Sequence, residues 1–342
     1  MRDTALSVIK FCAAALRRLG RWIFLGIVYA CLLVIFTWAS LAIYFLSLPW
    51  AWAGTILAYA FAIFSAWAIL FSRRPKMRWA LAGLLLLVIA WYASIQPSHD
   101  REWRPEVAVM PRAMIDGDRV RITGVRHFDF RTRDDFTIRY EEREVLLSHL
   151  TSVDFYISYW AEGPVGHTFL SFNFDNADPV CISIETRPEV GEGFAPVASM
   201  FKQFELIYVV GDERDLVRLR TNFRDEEVFL YRIRTTRERA HDLFKVYLDR
   251  INSLADKPEF YHLLSNSCTI NIVRYANAVG RTGGFDFRHL LNGFIDYYLF
   301  RSGLIETNLP FEELRRRSRI TEVARSAPND PGFPEAIRKS LP

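Results

Sequence analysis

The sequence lacks the short motifs of the best-known catalytic and nucleotide-binding sites. Its 342 residues contain no His-Glu-x-x-His, no Cys-x-x-Cys, no glycine-rich phosphate loop and no Gly-x-Ser-x-Gly nucleophile elbow. Cysteine is scarce, with four residues, and histidine is limited to seven. These absences argue against a zinc protease, a P-loop nucleotidase and an α/β-hydrolase. We therefore expect no cofactor and no metal.

Charge is missing altogether from one long segment, because no Asp, Glu, Lys or Arg occurs from Trp22 to Ser72. A membrane-spanning helix needs about 20 apolar residues, so this segment is long enough for two. Ser47-Leu48-Pro49-Trp50 is the natural break, since proline disfavours helix continuation and tryptophan suits the membrane interface. A third apolar run follows the basic residues of 73–78. The sequence predicts membrane helices at about 22–46, 51–71 and 79–95.

The basic residues predict how these helices are oriented. Residues 1–96 hold nine basic residues and one acidic residue, whereas residues 97–342 hold 34 and 38. Positive charge stays in the cytoplasm, which places the basic segments 1–21 and 73–78 on that side. We therefore expect a multi-pass protein of a bacterial inner membrane with its C-terminal domain in the periplasm. No basic stripe with interleaved aromatics supports a nucleic-acid partner.

The chain after residue 96 predicts an α+β domain over 97–310, followed by an irregular, basic and proline-containing tail over 311–342. The turn signal at 175–179 predicts that the strands on either side form a hairpin. One helix is expected from Thr235 or Thr236 to before Pro258, and another from Ser267 or Cys268 to Gly280. The candidate strands are 119–130, 167–172, 180–185, 204–210 and 228–233.

Two cysteines lie in this domain, Cys181 and Cys268. In an oxidising compartment they could form a disulfide. Cys181, however, lies within an apolar strand, where a buried thiol is ordinary. Cys268 is at a predicted helix N-terminus, where the helix dipole and unpaired amides lower a thiol pKa and can hold an oxyanion. Cys268 is therefore the candidate nucleophile.

His167 is the candidate base. It follows Gly163-Pro164-Val165-Gly166 and opens an apolar strand, where an imidazole needs a polar partner. If the hairpin pairs residues near 172 with residues near 180, His167 lies opposite Glu185. Glu185 could then orient the imidazole, or it could be an exposed strand carboxylate paired with Arg187. A register error of one residue would leave Ser183 or a backbone carbonyl as the orienting group.

The acidic run Asp212-Glu213-Arg214-Asp215 offers a different chemistry, since carboxylates bind cations. Its interleaved arginine, together with Arg218, Arg220 and Arg224, favours a salt-bridged structural patch instead.

Several sequence blocks, in this order, resemble the Lnb N-terminal periplasmic domain family. The blocks lie within about 120–280 and leave out the membrane segment. They are His167-Thr-Phe-Leu-Ser-Phe172, Ile182-Ser-Ile-Glu-Thr-Arg187, Phe204-Glu-Leu-Ile-Tyr-Val-Val210, Asp212-Glu-Arg-Asp215, Arg218-Leu-Arg-Thr-Asn-Phe-Arg224, Pro258-Glu-Phe-Tyr261 and Asn266-Ser-Cys-Thr269.

The resemblance implies a permuted papain-like thiol fold, of the NlpC type and related to lecithin:retinol acyltransferase, in which the histidine precedes the cysteine. Named members of the family are lipoprotein N-acyltransferases. By match of motif, the resemblance implies that His167 is the base and Cys268 the nucleophile.

Three functions remain open from the sequence. The first is a membrane-anchored acyltransferase that takes an acyl chain from a phospholipid donor and passes it to an amine of a lipoprotein acceptor. The second is a membrane-tethered cysteine peptidase or amidase acting on cell-wall peptide. The third is a non-enzymatic binding module in which Cys181 and Cys268 are joined. We expect the first, with the catalytic set Cys268, His167 and Glu185.

Overall fold

The computed structural model describes residues 2–45, 51–72, 74–161, 163–193, 195–280, 283–284, 286–327 and 331–341, without the side chains of 2–14 and 51. The turn predicted at 47–50 lies outside the described residues. The chain divides into two compact units, Met1–Gln96 and Pro97–Pro342.

The first unit consists of three long apolar helices, as predicted: α1 (Arg2–Phe45), α2 (Ala51–Leu70) and α3 (Pro75–Ser94). Their parts Ala15–Phe45, Trp52–Leu70 and Pro75–Ser94 are long and apolar enough to cross a membrane. Two starts differ from the prediction. α1 already begins in the basic flank, which holds no helix breaker there, and α3 begins at Pro75 because proline fits the first turn of a helix. Buried alanines such as Ala39 and Ala58 let the helices approach closely.

The second unit is built on an eight-stranded, mainly antiparallel sheet. The strand order is β1-β2-β9-β8-β7-β6-β10, with β5 also paired to β2. The hairpin of β7 and β8 lies near the middle of this order, and most residues on both of its faces are buried. β3 and β4 form a separate two-stranded ribbon. The strands are β1 (Arg112–Asp116), β2 (Arg119–Arg126), β3 (Asp129–Phe130), β4 (Phe136–Thr137), β5 (Tyr140–Leu146), β6 (Leu150–Tyr159), β7 (His167–Phe174), β8 (Val180–Arg187), β9 (Glu205–Gly211) and β10 (Glu227–Arg232).

Among the described residues of the second unit, seven α-helices accompany the sheet. They are α4 (Glu213–Arg218), α5 (Arg237–Asp256), α6 (Cys268–Ala278), α7 (Ile295–Arg301), α8 (Phe311–Ser318), α9 (Thr321–Ser326) and α10 (Phe333–Arg338). A π-helical segment, Leu219–Phe223, continues α4, and a 3-10 turn, Asn292–Phe294, precedes α7. α5 starts after the N-cap Thr236 and α6 after Ser267, at the positions that the sequence predicts.

The predicted hairpin is confirmed together with its register, because Phe172 lies opposite Val180 and Phe169 opposite Ser183. Side chains at 167, 169 and 171 therefore share a sheet face with those at 181, 183 and 185.

The prediction of an irregular tail over 311–342 is wrong. α8, α9 and α10 occupy this stretch, and it belongs to the same compact unit as the sheet. Ile320 and Ala324, like Phe333 and Ile337, are completely buried in the core and are spaced at i,i+4. Prolines conceal this pattern, although a proline in the first turn of a helix, as in α10, costs little.

Candidate active site

Cys268 is the first residue of α6 and is 3% exposed. Its sulfur interacts with the side chain of His167 and with the backbone N–H and hydroxyl of Thr168, and the hydroxyl of Thr269 is 3.8 Å away. Burial by itself would raise the pKa of the thiol. The charge of His167 and these interactions outweigh burial and lower the pKa to about 6. The structure thus brings together the two residues that the sequence proposes as nucleophile and base.

His167 is the first residue of β7, and Gly166 makes room for the strand to begin there. A Cβ at Gly166 would lie 2.9 Å from the carbonyl oxygen of Ser158 on the paired strand. The Nε2 atom of His167 is 2.7 Å from the Oγ atom of Ser183. Since this nitrogen is engaged, Nδ1 is the ring nitrogen left for the thiol.

Ser183 stands between His167 and Glu185. Its hydroxyl donates to Glu185 Oε1 at 2.7 Å, whereas Nε2 of His167 is 3.8 Å from the same oxygen. The expected direct hydrogen bond from the imidazole to Glu185 is therefore replaced by a bond through Ser183. Residues 183 and 185 share one face of β8. Ser183 has the shorter side chain, and its hydroxyl lies between the imidazole ring of His167 and the carboxylate of Glu185.

The charge of Glu185 fixes the direction of these bonds. Burial would raise the pKa of Glu185, but the charges of Arg220 and His167 hold it well below its usual range, so the group is a carboxylate that only accepts. The one hydrogen of the Ser183 hydroxyl goes to it, and Ser183 must accept from Nε2–H of His167. Nδ1 is then the acceptor for the thiol proton.

Arg220 anchors the far end of this chain of hydrogen bonds. Its Nη2 donates to Glu185 Oε1 at 2.8 Å and its Nη1 to the carbonyl oxygen of Leu216. The guanidinium also lies over the ring of Phe169. Arg220 belongs to the π-helical segment, a form that often occurs at functional sites. Glu185 is thus paired with Arg220 and not with Arg187, whose guanidinium donates to the carbonyls of Val107 and Ala108.

Tyr261 covers the sulfur and is 6% exposed. Its hydroxyl is hydrogen-bonded both to the backbone N–H and to the thiol of Cys268. Burial and then the neighbouring thiol raise the pKa of Tyr261 well above its usual value, so the phenol stays protonated. An O–H donor and the first amide of α6 therefore lie beside the sulfur, where an oxyanion would need them. The Nδ2 atom of Asn292 is 3.9 Å from the same sulfur.

Residues 136–293 match the model of the Lnb N-terminal periplasmic domain family. The match confirms the resemblance seen in the sequence and covers less than half of the chain. No curated protein and no solved structure matches it. With its three long apolar helices, the protein is a membrane protein that carries a domain of periplasmic type.

Every site residue described above lies within the segment matched to the Lnb N-terminal domain. The three N-terminal helices and α8 to α10 lie outside it. The site thus lies entirely within the matched segment, and α9 and α10, which follow that segment, complete the core of the same unit.

Cys181 is not part of this site. Both Cys181 and Cys268 are free thiols, which excludes the disulfide alternative. Burial, followed by the charge of Glu213, raises the pKa of Cys181 well above its usual value. Its thiol is therefore a small apolar group of the core.

Among the described residues, one cluster has the geometry of a metal site. The ligand atoms of His127, Glu141 and Asp212 lie within 4.8 Å of one another. Arg143 donates to both carboxylates at 2.7 and 2.8 Å, and Arg214 donates to Asp212 as well. These guanidiniums already neutralise the carboxylates and would repel a cation. The salt-bridged interpretation of the 212–215 run is confirmed, since Glu213 and Asp215 are likewise paired with arginines.

The sequence missed several residues that meet at the thiol. Tyr261 lies in one of the blocks that carry the family resemblance, seven residues before Cys268, but nothing local indicates that its hydroxyl reaches the sulfur. Arg220 looks like any other arginine of a charged helix, and Asn292 follows the site in an Asn-Gly pair typical of turns.

Proposed function

We propose that this protein is a membrane-anchored thiol acyltransferase. It moves an acyl chain from a phospholipid, through a thioester on Cys268, to the N-terminal amine of a lipoprotein. The observation that carries this proposal is that His167, which lowers the pKa of the Cys268 thiol, is hydrogen-bonded through Ser183 to Glu185. This arrangement supplies a nucleophile with a lowered pKa, a base within reach and a group that orients the base.

In the proposed reaction the thiolate of Cys268 attacks the ester carbonyl carbon, and a C–S bond forms. The ester C–O bond breaks, and His167 gives its proton to the departing glycerol oxygen. The acceptor amine then attacks the thioester carbon and a C–N bond forms. The C–S bond breaks, and His167 takes the amine proton, which restores the starting pair. A thioester retains enough acyl-transfer potential for this second step.

Two donors that contact each other beside the sulfur would turn to the charge that develops on the carbonyl oxygen in both steps. These are the hydroxyl of Tyr261 and the backbone N–H of Cys268. The N-terminus of α6 adds a favourable dipole at the same point. Donors fixed in a buried site are among the larger contributions to acyl-transfer catalysis.

The permuted papain-like fold and the inner-membrane location of the protein belong to the same proposal. A nucleophile at a helix N-terminus, a base at the start of an antiparallel strand, and a histidine that precedes the cysteine support a permuted papain-like fold. The basic residues of 1–21 and 73–78 support an inner-membrane, multi-pass protein with its domain in the periplasm.

Apolar side chains on the segments around the site favour a lipid substrate over a cell-wall peptide. These large side chains are exposed, and in the sequence they lie close to Cys268, to Asn292 or to the end of β6, the strand paired with β7. A peptidase would present a mainly polar cleft to its substrate, whereas acyl chains need apolar contact. The side chains are Trp160, Leu264, Phe287, Leu291, Phe294 and Tyr297.

The test is detection of the acyl-enzyme. Full-length protein in nanodiscs with phosphatidylethanolamine is quenched in acid and its intact mass is measured. We expect an added acyl mass that maps to Cys268 and is absent from Cys268→Ala and His167→Ala. Cys31→Ala, which changes an exposed thiol of α1, is the matched control and should acylate normally. An acyl adduct on Cys268→Ala would contradict the proposal.

The acceptor is tested by adding a diacylglyceryl-cysteine peptide with a free N-terminal amine. The proposal expects an amide-linked acyl chain on that amine. Release of free fatty acid instead would indicate a lipid hydrolase. Cleavage of a cell-wall peptide, without any acyl adduct, would indicate the peptidase.

A further inference from the structure

The side chain of Asn292 joins two segments that are more than a hundred residues apart. Its Oδ1 accepts from the backbone N–H of Gly166 at 2.8 Å, and its Nδ2 donates to the carbonyl oxygen of Gly166 at 2.6 Å. Nδ2 also donates to the hydroxyl of Thr269 at 3.0 Å. Gly166 directly precedes His167, and Thr269 directly follows Cys268. One buried amide is therefore hydrogen-bonded to the residue before His167 and to the residue after Cys268.

The hydrogen bonds of this amide are fully used. Nδ2 carries two hydrogens, which the carbonyl of Gly166 and the hydroxyl of Thr269 accept. The sulfur of Cys268, at 3.9 Å, is the most distant of its neighbours. Asn292 therefore has no donor left for a substrate oxyanion, and an amide does not titrate. Its contribution can only be to geometry.

Asn292 is itself held firmly in place by the residue that follows it. Gly293 donates its N–H to the carbonyl of Pro164 at 2.9 Å, and its own carbonyl accepts from the hydroxyl of Tyr159 at 2.8 Å. A Cβ at Gly293 would lie 2.5 Å from the backbone of Pro164. The 292–294 turn is thus seated directly on the loop that leads into His167.

We propose that Asn292 is a positioning residue that holds His167 and Cys268 at hydrogen-bonding distance. The strand that begins with His167 and the helix that begins with Cys268 are also linked at this point by the hydroxyl contact of Thr168 with Thr269, 2.9 Å. The interactions of Thr168 and His167 with the thiol link them as well. The effect of Asn292 on acyl transfer rests on the proposed function. Its effect on the reactivity of the Cys268 thiol does not.

The experiment measures the thiol directly. The rate at which iodoacetamide alkylates Cys268 in the full-length protein is followed against pH by peptide mass, which separates this site from the other cysteines. Wild type should show alkylation that rises through a pKa of about 6. In Asn292→Ala the charge and hydrogen bond of His167 act less strongly, so the midpoint should move up towards about 8.5, the value of a free thiol. At pH 7 the rate should fall about tenfold or more.

Asn292→Asp is the second variant, because it keeps the shape and the acceptor for Gly166. It lacks the donors, and its charge opposes the thiolate, so its midpoint should rise at least as far. Asn252→Ala is the matched control. The side-chain amide of Asn252 accepts from the backbone N–H of Ala113 at 2.9 Å and donates to its carbonyl oxygen at 2.8 Å, away from the thiol. It should lower the melting temperature and leave the alkylation profile unchanged.

A wild-type alkylation profile in folded Asn292→Ala or Asn292→Asp would overturn the proposal and leave Asn292 a purely structural residue. Failure of the wild-type protein to form an acyl-enzyme would overturn the acyltransferase function instead. It would leave the alkylation result standing, because alkylation needs no lipid substrate.

Discussion

At the scale of single residues, Ser183 determines which ring nitrogen of His167 takes the thiol proton. The lowered pKa of Glu185 makes it an acceptor, so Ser183 donates to Glu185 and accepts from Nε2–H of His167. This leaves Nδ1 at the side of the thiol, where it takes up the thiol proton. Without Ser183, neither the tautomer nor the tilt of the ring is fixed.

Ser183→Ala should therefore slow acyl-enzyme formation by about 10- to 100-fold, because the base is no longer held in its reactive orientation. The measurement is the single-turnover rate of acyl adduct formation. Ser171→Ala is the matched control, since Ser171 also donates to a buried carboxylate, that of Glu213, with no histidine attached. Equal rates for wild type and Ser183→Ala would show that the ring needs no such partner.

Glu185→Gln tests the charge at the end of the same chain. The amide can still accept from Ser183, but it stabilises the imidazolium less well and leaves Arg220 without its carboxylate. We expect a folded protein with a lower rate of acyl-enzyme formation, measured as for Ser183→Ala. Wild-type rates would remove Glu185 from the catalytic set and leave His167 and Cys268 unaffected.

At the scale of elements, three connections converge on the thiol. β7 brings His167, α6 brings Cys268, and the 292–294 turn closes over the loop before β7. The turn approaches so closely that only glycine fits at 293. Helix, strand and turn thus meet where the chemistry is proposed.

Gly293→Ala should disturb both stability and reactivity. The added methyl group must displace the backbone of Pro164, which we expect to cost about 1–3 kcal/mol as overpacking does elsewhere. Thermal unfolding and alkylation of Cys268 are the two measurements. Gly284→Ala is the control, because nothing lies within 4 Å of a Cβ there. Should both variants behave alike, the turn would not constrain the loop.

At the scale of the whole molecule, the last helix closes the core with a buried cation. Arg338 of α10 donates to Glu213 at 2.6 Å and to Asp154 at 2.9 Å, and both carboxylates are fully buried. Tyr156 and Ser171 donate to Glu213 as well. The C-terminal stretch therefore neutralises charges that the sheet buries.

Arg338→Met should lower the free energy of unfolding by about 3–5 kcal/mol, because the buried carboxylate of Glu213 loses its paired cation and that of Asp154 keeps only Arg232. Chemical denaturation of the full-length protein in detergent measures the change. Arg317→Met, which breaks an exposed pair with Glu313, should cost about 1 kcal/mol or less. A similar small loss for Arg338→Met would mean that the C-terminal helix is not needed to stabilise the sheet.

The sequence by itself determined several elements and the two residues proposed as nucleophile and base. An uncharged run can be accommodated only in lipid, alternation and turn residues define the β7–β8 hairpin, and capping residues mark the starts of α5 and α6. These signals are local, so they can be seen without knowing the fold. His167 and Cys268 could be chosen because each stands at the start of an element, where unpaired backbone groups are found.

The tertiary structure decided which side chains meet. Ser183 intervenes before Glu185 because the shorter side chain lies nearer to the ring, and no pattern in the strand reveals this. Distant segments bring Arg220, Tyr261 and Asn292 to the site, and such tertiary contacts produce no periodic pattern in the sequence. The tail was misjudged for the same reason: prolines and arginines suggest a solvated chain, until Arg338 meets the buried carboxylates that its charge stabilises.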